Sequence, residues 1–573
     1  MMVESTPETK HRVPLQAPGL ERYSRRRMRY FAGSNITSAQ FPDAARREPL
    51  GIVLGRFWPW TWLTFVCAVA SAAPLWLGRY LPFADLPQHV AMIATLRHWW
   101  DPAWNAQQTF TLNFGHTQYL LYYLIGAVLS FFLGTPERAN VILLSGIAIA
   151  FPYSLRSLLR AARQDERLAI FGCPLFWSMP LLIGLFNYVA AVPFVLWGLA
   201  LAIRQAEQPT GRRAVLLALV GVLLFYLHLS ALFFFFAASV LCFLLWPTPE
   251  PGQRVIRLLT SRAKALWRKL AWMIPASALC ASWFLTSPVV RPSSVGWSEE
   301  VAVEFQSPRV ALAQLPEVLL QIWQGNGSGW PLLPWLFAWS LLVWPRRSPV
   351  EDSKSRFRRR ALVTLVCLAL ALYFGMPYAI GWLWWLNARY ALLAALLLPA
   401  VAPAAYGNRG ALSLAMAAAA ALWVAGAAAM HVRAFQREVN GFDQVLHQAQ
   451  PAQRLFTIVY EEDSRVARFI PFHHFGSYYR ARTGGIAEWS FAQLPQSPIR
   501  YKPEVAPPAR LPSWEWDPNS FRNEIDGAYF DYVLVRGTVD PFSTKPRGPA
   551  WHVAAREGLW ALYEKERSTP SAR

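Results

Sequence analysis

Long apolar runs separated by short polar or basic stretches recur along most of the chain. A helix that crosses a bilayer needs about 20 mainly apolar residues, and twelve candidate runs are present. The runs lie near 58–78, 118–134, 139–159, 168–184, 188–203, 214–228, 230–246, 272–290, 330–345, 361–377, 388–405 and 412–432. This pattern predicts a polytopic, all-α membrane bundle with about 11 to 13 spans.

Three segments are too polar to lie in lipid and too long to be turns. Two of them, 79–117 and 291–329, are predicted to be outer loops. The first loop contains an amphipathic stretch at 86–100, which we expect to lie along the membrane surface. The third segment, 436–573, predicts a small α/β domain because it alternates β-rich runs with Pro- and Gly-rich loops. Those β-rich runs are 455–460, 529–535 and 559–563.

Composition and charge support this interpretation. Hydrophobic residues make up 54% of the chain and charged residues only 16%, whereas charged residues are about a quarter of a soluble protein. The net charge is +21, and most basic residues between the runs stand in four clusters, which is typical of cytoplasmic loops. The clusters are 156–167, 204–213, 254–269 and 346–360. Because apolar runs separate them, they form no continuous basic face, and we expect no nucleic-acid partner.

The charge pattern also predicts an orientation. We expect a disordered basic cytoplasmic tail at 1–56, a transmembrane domain at 57–435, and an extracytoplasmic α/β domain at 436–573. Twelve crossings do not fit this orientation, because three runs precede the cluster 156–167 and would place the N-terminus outside. One crossing is therefore missed or overcounted, or that cluster breaks the charge rule.

Acidic residues are almost absent from the apolar runs, which disfavours a proton-coupled transporter. In the first outer loop, Asp85 follows the first run closely and His89 stands four residues later, so both side chains can project to one side of a helix start. Asp85 is a candidate general base. The alternative interpretation is a helix N-cap, for which aspartate is a preferred residue.

Other histidines are weaker candidates. His116 ends the first loop and His228 lies between two short apolar runs, so either could line a substrate cavity or have a purely structural role. The pair His473 and His474 has no carboxylate or cysteine at ligand spacing, and we assign no metal ligand there.

Four segments give the chain a family resemblance. They are Phe-Ala-Asp-Leu-Pro-Gln-His at 83–89, Asn-Ala-Arg-Tyr at 387–390, Phe-Asp-Tyr-Val-Leu-Val-Arg-Gly at 530–537 and Arg-Glu-Gly-Leu-Trp-Ala-Leu-Tyr at 556–563. Together with a long first outer loop that opens on an aspartate, their order resembles the GT-C superfamily of bacterial membrane glycosyltransferases, including mannosyl- and arabinosyltransferases. The resemblance extends through most of the chain after residue 57.

The resemblance implies a polyprenyl-phosphate sugar donor and transfer to a glycan, lipid or protein acceptor outside the cytoplasm. In that family the first-loop acid is a general base or helps to hold a divalent cation, and Asp85 is the matching position. The acidic pair of many members is absent because residue 84 is alanine. Glu299 or Glu300 could supply a second carboxylate, so no cofactor is certain and a divalent cation stays open.

Arg389 is the best candidate to bind the donor phosphate, because a guanidinium donates two parallel hydrogen bonds to such an anion. The alternative interpretation is an arginine that reaches from a span to the membrane interface.

We therefore expect an inverting glycosyltransferase of GT-C architecture in the bacterial inner membrane, surrounded by membrane lipids. Asp85 would be the base and His89 its orienting or acceptor-binding neighbour. The other substrate-binding candidates would be Arg389, His116, His228, Glu299 and Glu300. The alternatives are a non-enzymatic scaffold with the same architecture and a lipid or solute transporter.

Overall fold

The computed structural model describes residues 50–246, 266–267, 269–287, 303–325, 329–344, 353–381, 383–510, 514–543 and 547–566. The chain divides into two compact units, Met1–Pro59 and Trp60–Arg573. Most of the predicted tail lies outside the described residues. Its last part does not match the prediction, because the first described helix already begins at Leu50.

Helices make up most of the described chain. In the first half they are α1 (Leu50–Ala72), α2 (Leu86–Arg97), α3 (Ala106–Thr109), α4 (Leu121–Leu133), α5 (Pro136–Ala162), α6 (Met179–Leu182), α7 (Phe186–Glu207), α8 (Gly211–Leu227) and α9 (Leu229–Leu245). The later helices are α10 (Ile274–Thr286), α11 (Pro308–Leu319), α12 (Leu332–Val343), α13 (Ser353–Gly375), α14 (Ala388–Val401), α15 (Gly407–Glu438), α16 (Phe442–Leu446), α17 (Ser477–Thr483) and α18 (Asp526–Tyr529).

Eleven of the twelve apolar runs coincide with a helix, and the run 168–184 does not. That stretch consists of two 3₁₀ segments, Glu166–Gly172 and Pro174–Phe176, followed by the single turn of α6. Pro174 and Pro180 explain the interruption, because proline has no amide hydrogen to donate within a helix. The prediction of one continuous helix there was wrong.

Three of the described helices, α5, α7 and α15, are long and apolar enough to cross a membrane. Five shorter apolar helices accompany them: Leu121–Leu133, Leu229–Leu245, Ala271–Thr286, Leu332–Val343 and Ala388–Val401. These helices support the prediction that the chain is a membrane protein, while the number of spans stays a prediction. Helix α7 is at the centre of the bundle, since most of its residues are buried against α5, α8 and α9.

A five-stranded sheet forms the core of the C-terminal segment. Its strands are β4 (Arg454–Val459), β5 (Ile486–Ala487), β7 (Tyr532–Arg536), β8 (Trp551–Glu557) and β9 (Trp560–Lys565), in the order β5-β4-β7-β9-β8. The strand β4 is parallel to β5 and to β7, whereas β9 is antiparallel to β7 and to β8. This sheet and the helices around it match the predicted α/β composition.

The C-terminal segment is interleaved with the first loop. Strand β1 (Phe110–Leu112) pairs antiparallel with β6 (Ile499–Tyr501), and a second small sheet joins β2 (Val303–Glu304) to β3 (Ala379–Ile380). Residues of the first loop and of the C-terminal segment therefore share one sheet and one packed region.

The amphipathic stretch of the first loop does not lie along a surface. Helix α2 is buried from Leu86 through Leu96, because α17 covers one side of it while α4 and α5 pack on others. The side-chain amide of Gln88 also bonds to the C-terminal segment. It donates to the Trp489 carbonyl at 3.0 Å and accepts from the Phe491 amide at 3.3 Å. The predicted surface helix is thus an internal one.

Candidate functional site

Asp85 stands at the N-cap position of α2, but its side chain makes no capping hydrogen bond. An aspartate in this position usually accepts from an amide of the first turn, which satisfies one of the free donors there. Here the only such bond runs to the backbone carbonyl of Asp85, which accepts from the His89 amide at 3.1 Å. The capping interpretation therefore does not account for the carboxylate.

The turn that precedes α7 holds the backbone of Asp85 in place. The Ala84 amide donates to the Leu182 carbonyl at 2.9 Å, and Gly184 lies directly against the aspartate. Gly184 has a φ of +93°, and a β-carbon there would stand 2.4 Å from the Asp85 β-carbon. Both the left-handed backbone and the close approach require glycine at this position.

The carboxylate of Asp85 faces an imidazole from the C-terminal segment. The Nε2 atom of His474 lies 3.3 Å from the Asp85 Oδ1 atom, and 27% of the Asp85 side chain remains exposed. The ring of Trp489 stacks on His474 at a centroid distance of 4.4 Å, which fixes the imidazole. The carboxylate is thus oriented by a neighbour yet still accessible.

Burial sets the protonation states of this pair. Burial away from water raises the pKa of Asp85 to about 6, and this effect outweighs the nearby His89 and His473, which lower that pKa. Burial lowers the pKa of His474 to about 3, so its imidazole is neutral at pH 7. A carboxylate that is mostly ionised and has a pKa near the working pH is suited to take a proton.

His89 bonds to Gly184, the glycine that lies against Asp85. A carbonyl only accepts, so the His89 Nε2 atom carries the proton that it donates to the Gly184 carbonyl at 2.6 Å. Its Nδ1 atom accepts from the Tyr123 hydroxyl at 3.0 Å, and burial lowers the pKa of His89 to about 4. Both ring nitrogens have partners within the protein, which favours the orienting role over the acceptor-binding one. Its contacts are those of a positioning residue.

Arg389 is the second residue of α14 and is buried, with 5% of its surface exposed. One terminal nitrogen donates to the Ser230 hydroxyl at 3.3 Å, and the Nε atom has no partner in the described part of the chain. No carboxylate of the described residues pairs with it. The guanidinium is therefore enclosed by protein side chains, and its Nε donor is available to an anion.

His228 belongs to the same group as Arg389. It is the N-cap residue of α9, and its Nδ1 atom accepts from the Ser230 amide at 3.2 Å. The rings of Tyr119 and Tyr188 pack on it at 5.4 Å and 5.3 Å, and the Tyr188 hydroxyl donates to the Arg389 carbonyl. The structure thus joins two of the predicted residues, with His228 in a capping role.

The surroundings of Asp85 and Arg389 are connected through two short segments. In the first turn of α7, the Asn187 amide donates to the Tyr123 hydroxyl at 3.3 Å beside His89, while the adjacent Tyr188 contacts Arg389. Tyr119, just before α4, packs on His228 beside Arg389, and Tyr123 within α4 donates to His89. Among the described residues no hydrogen bond or ion pair joins Asp85 directly to Arg389, and a shared cavity stays a prediction.

For the remaining predicted residues the structure describes only part of the chain. The backbone of His116 ends the short 3₁₀ segment Phe114–His116 before α4. Glu299 and Glu300 lie outside the described residues. In the part of the chain that is described, no group of three or more metal-ligating side chains occurs, and Asp85 with a neutral imidazole does not supply the oxygen ligands that Mg²⁺ prefers.

Two contributors were not predicted from the sequence. His474 was considered only as a metal ligand, and Gly184 was not considered. Arg480 of α17 is also notable, because it is 1% exposed, donates to the Ser490 hydroxyl, and has two nitrogens without partners in the described chain. Gly184 and His474 both lie far from Asp85 in the sequence, so no local spacing argument could find their contacts with it.

Comparison with solved structures identifies the architecture. A crystal structure of ArnT from Cupriavidus metallidurans bound to undecaprenyl phosphate matches 90% of this chain and 98% of its own, with a TM-score of 0.51 and 12% identity. The chain has a GT-C-like fold. A cryo-EM structure of the arabinofuranosyltransferase AftD from Mycobacteria matches 89% of this chain and 40% of its own length, with a TM-score of 0.45 and 15% identity.

No protein-family model and no curated protein sequence matches the chain. The GT-C-like fold is therefore shown by structure alone, at an identity too low to carry residue roles across. Within that fold, the first loop and the C-terminal segment meet at Asp85, and the buried Arg389 lies beyond the first turn of α7.

Proposed function

We propose that the protein is a membrane glycosyltransferase that moves a sugar from a polyprenyl-phosphate donor to an acceptor hydroxyl on the outer face of the membrane. The observation that carries this proposal is the Asp85 carboxylate, which is free of its capping role, accessible, and held between Gly184 and His474. The GT-C-like fold supports the same general kind of reaction.

The proposed reaction divides between two residues. The Asp85 carboxylate takes the proton of the acceptor hydroxyl, and the resulting oxygen forms a bond to the anomeric carbon as the bond to the phosphate oxygen breaks. Arg389, which has no carboxylate partner among the described residues, stabilises the charge on the departing polyprenyl phosphate. His474 orients the carboxylate, and His89 positions it through Gly184.

We also infer an arrangement of spans that removes the miscount in the sequence. Both ends of α4 contact the C-terminal segment: the Thr117 hydroxyl before it donates to the Gln496 carbonyl at 2.6 Å, and Glu137 after it pairs with Arg482 at 3.2 Å. A helix with both ends beside one segment does not cross the bundle. Eleven runs remain when the 3₁₀ stretch 168–184 is counted as one crossing that is not an α-helix. These eleven crossings place every basic cluster on the side of the N-terminus and the C-terminal segment on the opposite side.

Transfer assays with purified full-length protein test the proposed reaction. We expect Asp85→Asn to lower turnover of polyprenyl-phosphate sugars by about 10² to 10⁴, because loss of a general base has effects of that size. The matched control is Asp101→Asn in the same loop, whose carboxylate pairs with His98. If Asp85→Asn turns over as fast as the unmodified protein, Asp85 is not the base, and a protein with no turnover at all would favour a scaffold.

A further inference from the structure

A tyrosine just before α4 belongs to the group around Arg389 and has no part in the transfer proposed above. The ring of Tyr119 packs on His228 at a centroid distance of 5.4 Å. The Nδ1 atom of His228 accepts from the Ser230 amide at 3.2 Å, and Arg389 donates to the Ser230 hydroxyl at 3.3 Å. The end of the first loop therefore contributes a phenol to this group.

Hydrogen bonds on both sides fix the backbone of Tyr119. Its amide donates to the Thr117 hydroxyl at 3.1 Å, and that hydroxyl donates to the Gln496 carbonyl at 2.6 Å. The next amide, that of Leu120, donates to the Tyr226 carbonyl at the end of α8 at 3.0 Å. The residue is therefore anchored to the C-terminal segment and to the bundle, and its hydroxyl is not needed to hold it there.

The hydroxyl of Tyr119 lies close to the Arg389 charge. Burial raises the pKa of this hydroxyl, whereas the Arg389 guanidinium and the Gln118 side chain lower it. Groups with that effect present a positive charge or a donor hydrogen to the phenol oxygen. The Oε1 atom of Gln118 has no hydrogen-bond partner in the described chain, so Gln118 meets the phenol with its N–H groups. Since both neighbours approach the oxygen, the hydroxyl proton is left for another acceptor.

The group around Arg389 thus offers donors and no acid. The Arg389 Nε atom has no partner among the described residues, and no described carboxylate pairs with this guanidinium. The imidazole of His228 is neutral, because its Nδ1 atom accepts a hydrogen bond. Tyr119 is only partly buried, so a ligand has access to it. A guanidinium beside a free hydroxyl, with no acidic group between them, suits an anion such as a phosphate.

We propose that Tyr119 is a second ligand of the donor phosphate, which its hydroxyl binds together with the Arg389 guanidinium. The inference rests on the proposed glycosyl transfer and adds to it a donor-binding residue from outside α14. As the bond between the anomeric carbon and the phosphate oxygen breaks, the electron pair stays on the phosphate. The Tyr119 hydroxyl keeps its proton and donates a hydrogen bond to that growing charge. The chain between α1 and α4 thus supplies both the base and a ligand of the leaving group.

Binding of undecaprenyl phosphate to the purified full-length protein tests this inference without any sugar transfer. Undecaprenol is the uncharged comparison, phosphatidylglycerol is the ordinary membrane phosphodiester, and native mass spectrometry measures the affinities. Tyr119→Phe removes the hydroxyl and keeps the ring on His228. The matched control is Tyr153→Phe in α5. Tyr153 is also partly buried beside an arginine, but this Arg156 already pairs with Glu166 at 2.9 Å.

We expect Tyr119→Phe to weaken binding of undecaprenyl phosphate at least about tenfold, because a hydrogen bond to a charged group has an effect of that size. Binding of undecaprenol should not change, and Tyr153→Phe should affect neither lipid. In an Arg389→Lys background the loss of the Tyr119 hydroxyl should cost less, because two residues that hold one phosphate are coupled. Unchanged binding of undecaprenyl phosphate, an equal loss for undecaprenol, or equal binding of phosphatidylglycerol would each overturn the inference.

Transfer assays separate this inference from the proposed function. Tyr119→Phe should raise the KM for the polyprenyl-phosphate sugar and leave the acceptor KM unchanged. An active Tyr119→Phe protein with unchanged donor kinetics would contradict the role of Tyr119 alone. A protein that binds undecaprenyl phosphate through Tyr119 yet transfers no sugar would uphold the phosphate site and count against the catalytic assignment of Asp85.

Discussion

Gly184 and Asp85 are in direct contact, and the space between them admits no side chain on residue 184. The β-carbon of any other residue would stand 2.4 Å from the Asp85 β-carbon and 2.9 Å from its backbone nitrogen. The Gly184 carbonyl is also the acceptor for His89. The position of the proposed base therefore depends on a glycine that is about a hundred residues away in the sequence.

Gly184→Ala should impair the proposed catalysis almost as strongly as loss of the carboxylate. The added methyl group must push Asp85 away, and a non-glycine residue at positive φ also costs of order 1–3 kcal/mol of stability. We expect turnover to fall by about 10² or more, which a transfer assay on purified protein measures.

Gly115→Ala is the control for this substitution. Gly115 lies in the loop that also carries Asp85, and a β-carbon on Gly115 would have no heavy atom within 4 Å. Thermal unfolding of both variants separates misplacement of Asp85 from general loss of structure. A Gly184→Ala protein that is folded and fully active would show that the contact has no role in positioning.

The proposed reaction should lose rate in mild acid. Burial raises the pKa of Asp85 to about 6, and only its ionised form can take a proton from the acceptor. The rate should therefore rise about tenfold per pH unit below pH 6 and level off above it. A pH profile of turnover at saturating donor measures this, and a profile that is flat between pH 5 and 7 would contradict the role of Asp85.

Arg389 should act mainly on the donor. Arg389→Lys keeps the positive charge but loses the planar pair of donors, so we expect a decrease of about 10-fold or more in kcat/KM for the polyprenyl-phosphate sugar. The control is Arg309→Lys, an exposed residue in the first turn of α11. Unchanged donor kinetics in Arg389→Lys would argue that this guanidinium only supports the bundle.

Membrane orientation gives a further prediction, because α4 is inferred not to cross. Arg138 and Arg212 are both exposed and would then lie on opposite sides of the membrane. In sealed right-side-out vesicles, a membrane-impermeant maleimide should label Arg138→Cys and leave Arg212→Cys unlabelled. Labelling of both or of neither, after correction for the five native cysteines, would refute the inferred arrangement.

The sequence predicted the elements better than their environment. Hydrophobic runs located most helices and the β-rich runs located β4, β7 and β9, because both depend on local periodicity. The same patterns misplaced α2, whose apolar face suggested a lipid surface. Its polar residues are buried instead, with Gln88 bonded to a strand-to-turn region some 400 residues later.

The candidate site shows the same division. The position of Asp85 after the first run and of Arg389 near a late helix could be read from the sequence. The contact between Asp85 and His474 could not, because it joins residues whose separation is set by tertiary packing alone. For His89 the sequence left two roles open, orienting the base or binding the acceptor. The carbonyl and the hydroxyl that bond its two ring nitrogens come from other segments, so spacing alone could not choose between these roles.

The pairing of β1 with β6 has a consequence for biogenesis. Residues 110–112 emerge early from the ribosome, yet their partner strand at 499–501 is made nearly four hundred residues later. Until then the loop that carries Asp85 lacks its β-partner, the groups that bind Gln88, and the imidazole beside its carboxylate. A nascent or truncated chain therefore lacks part of this centre, which can assemble only after residues 499–501 have been made.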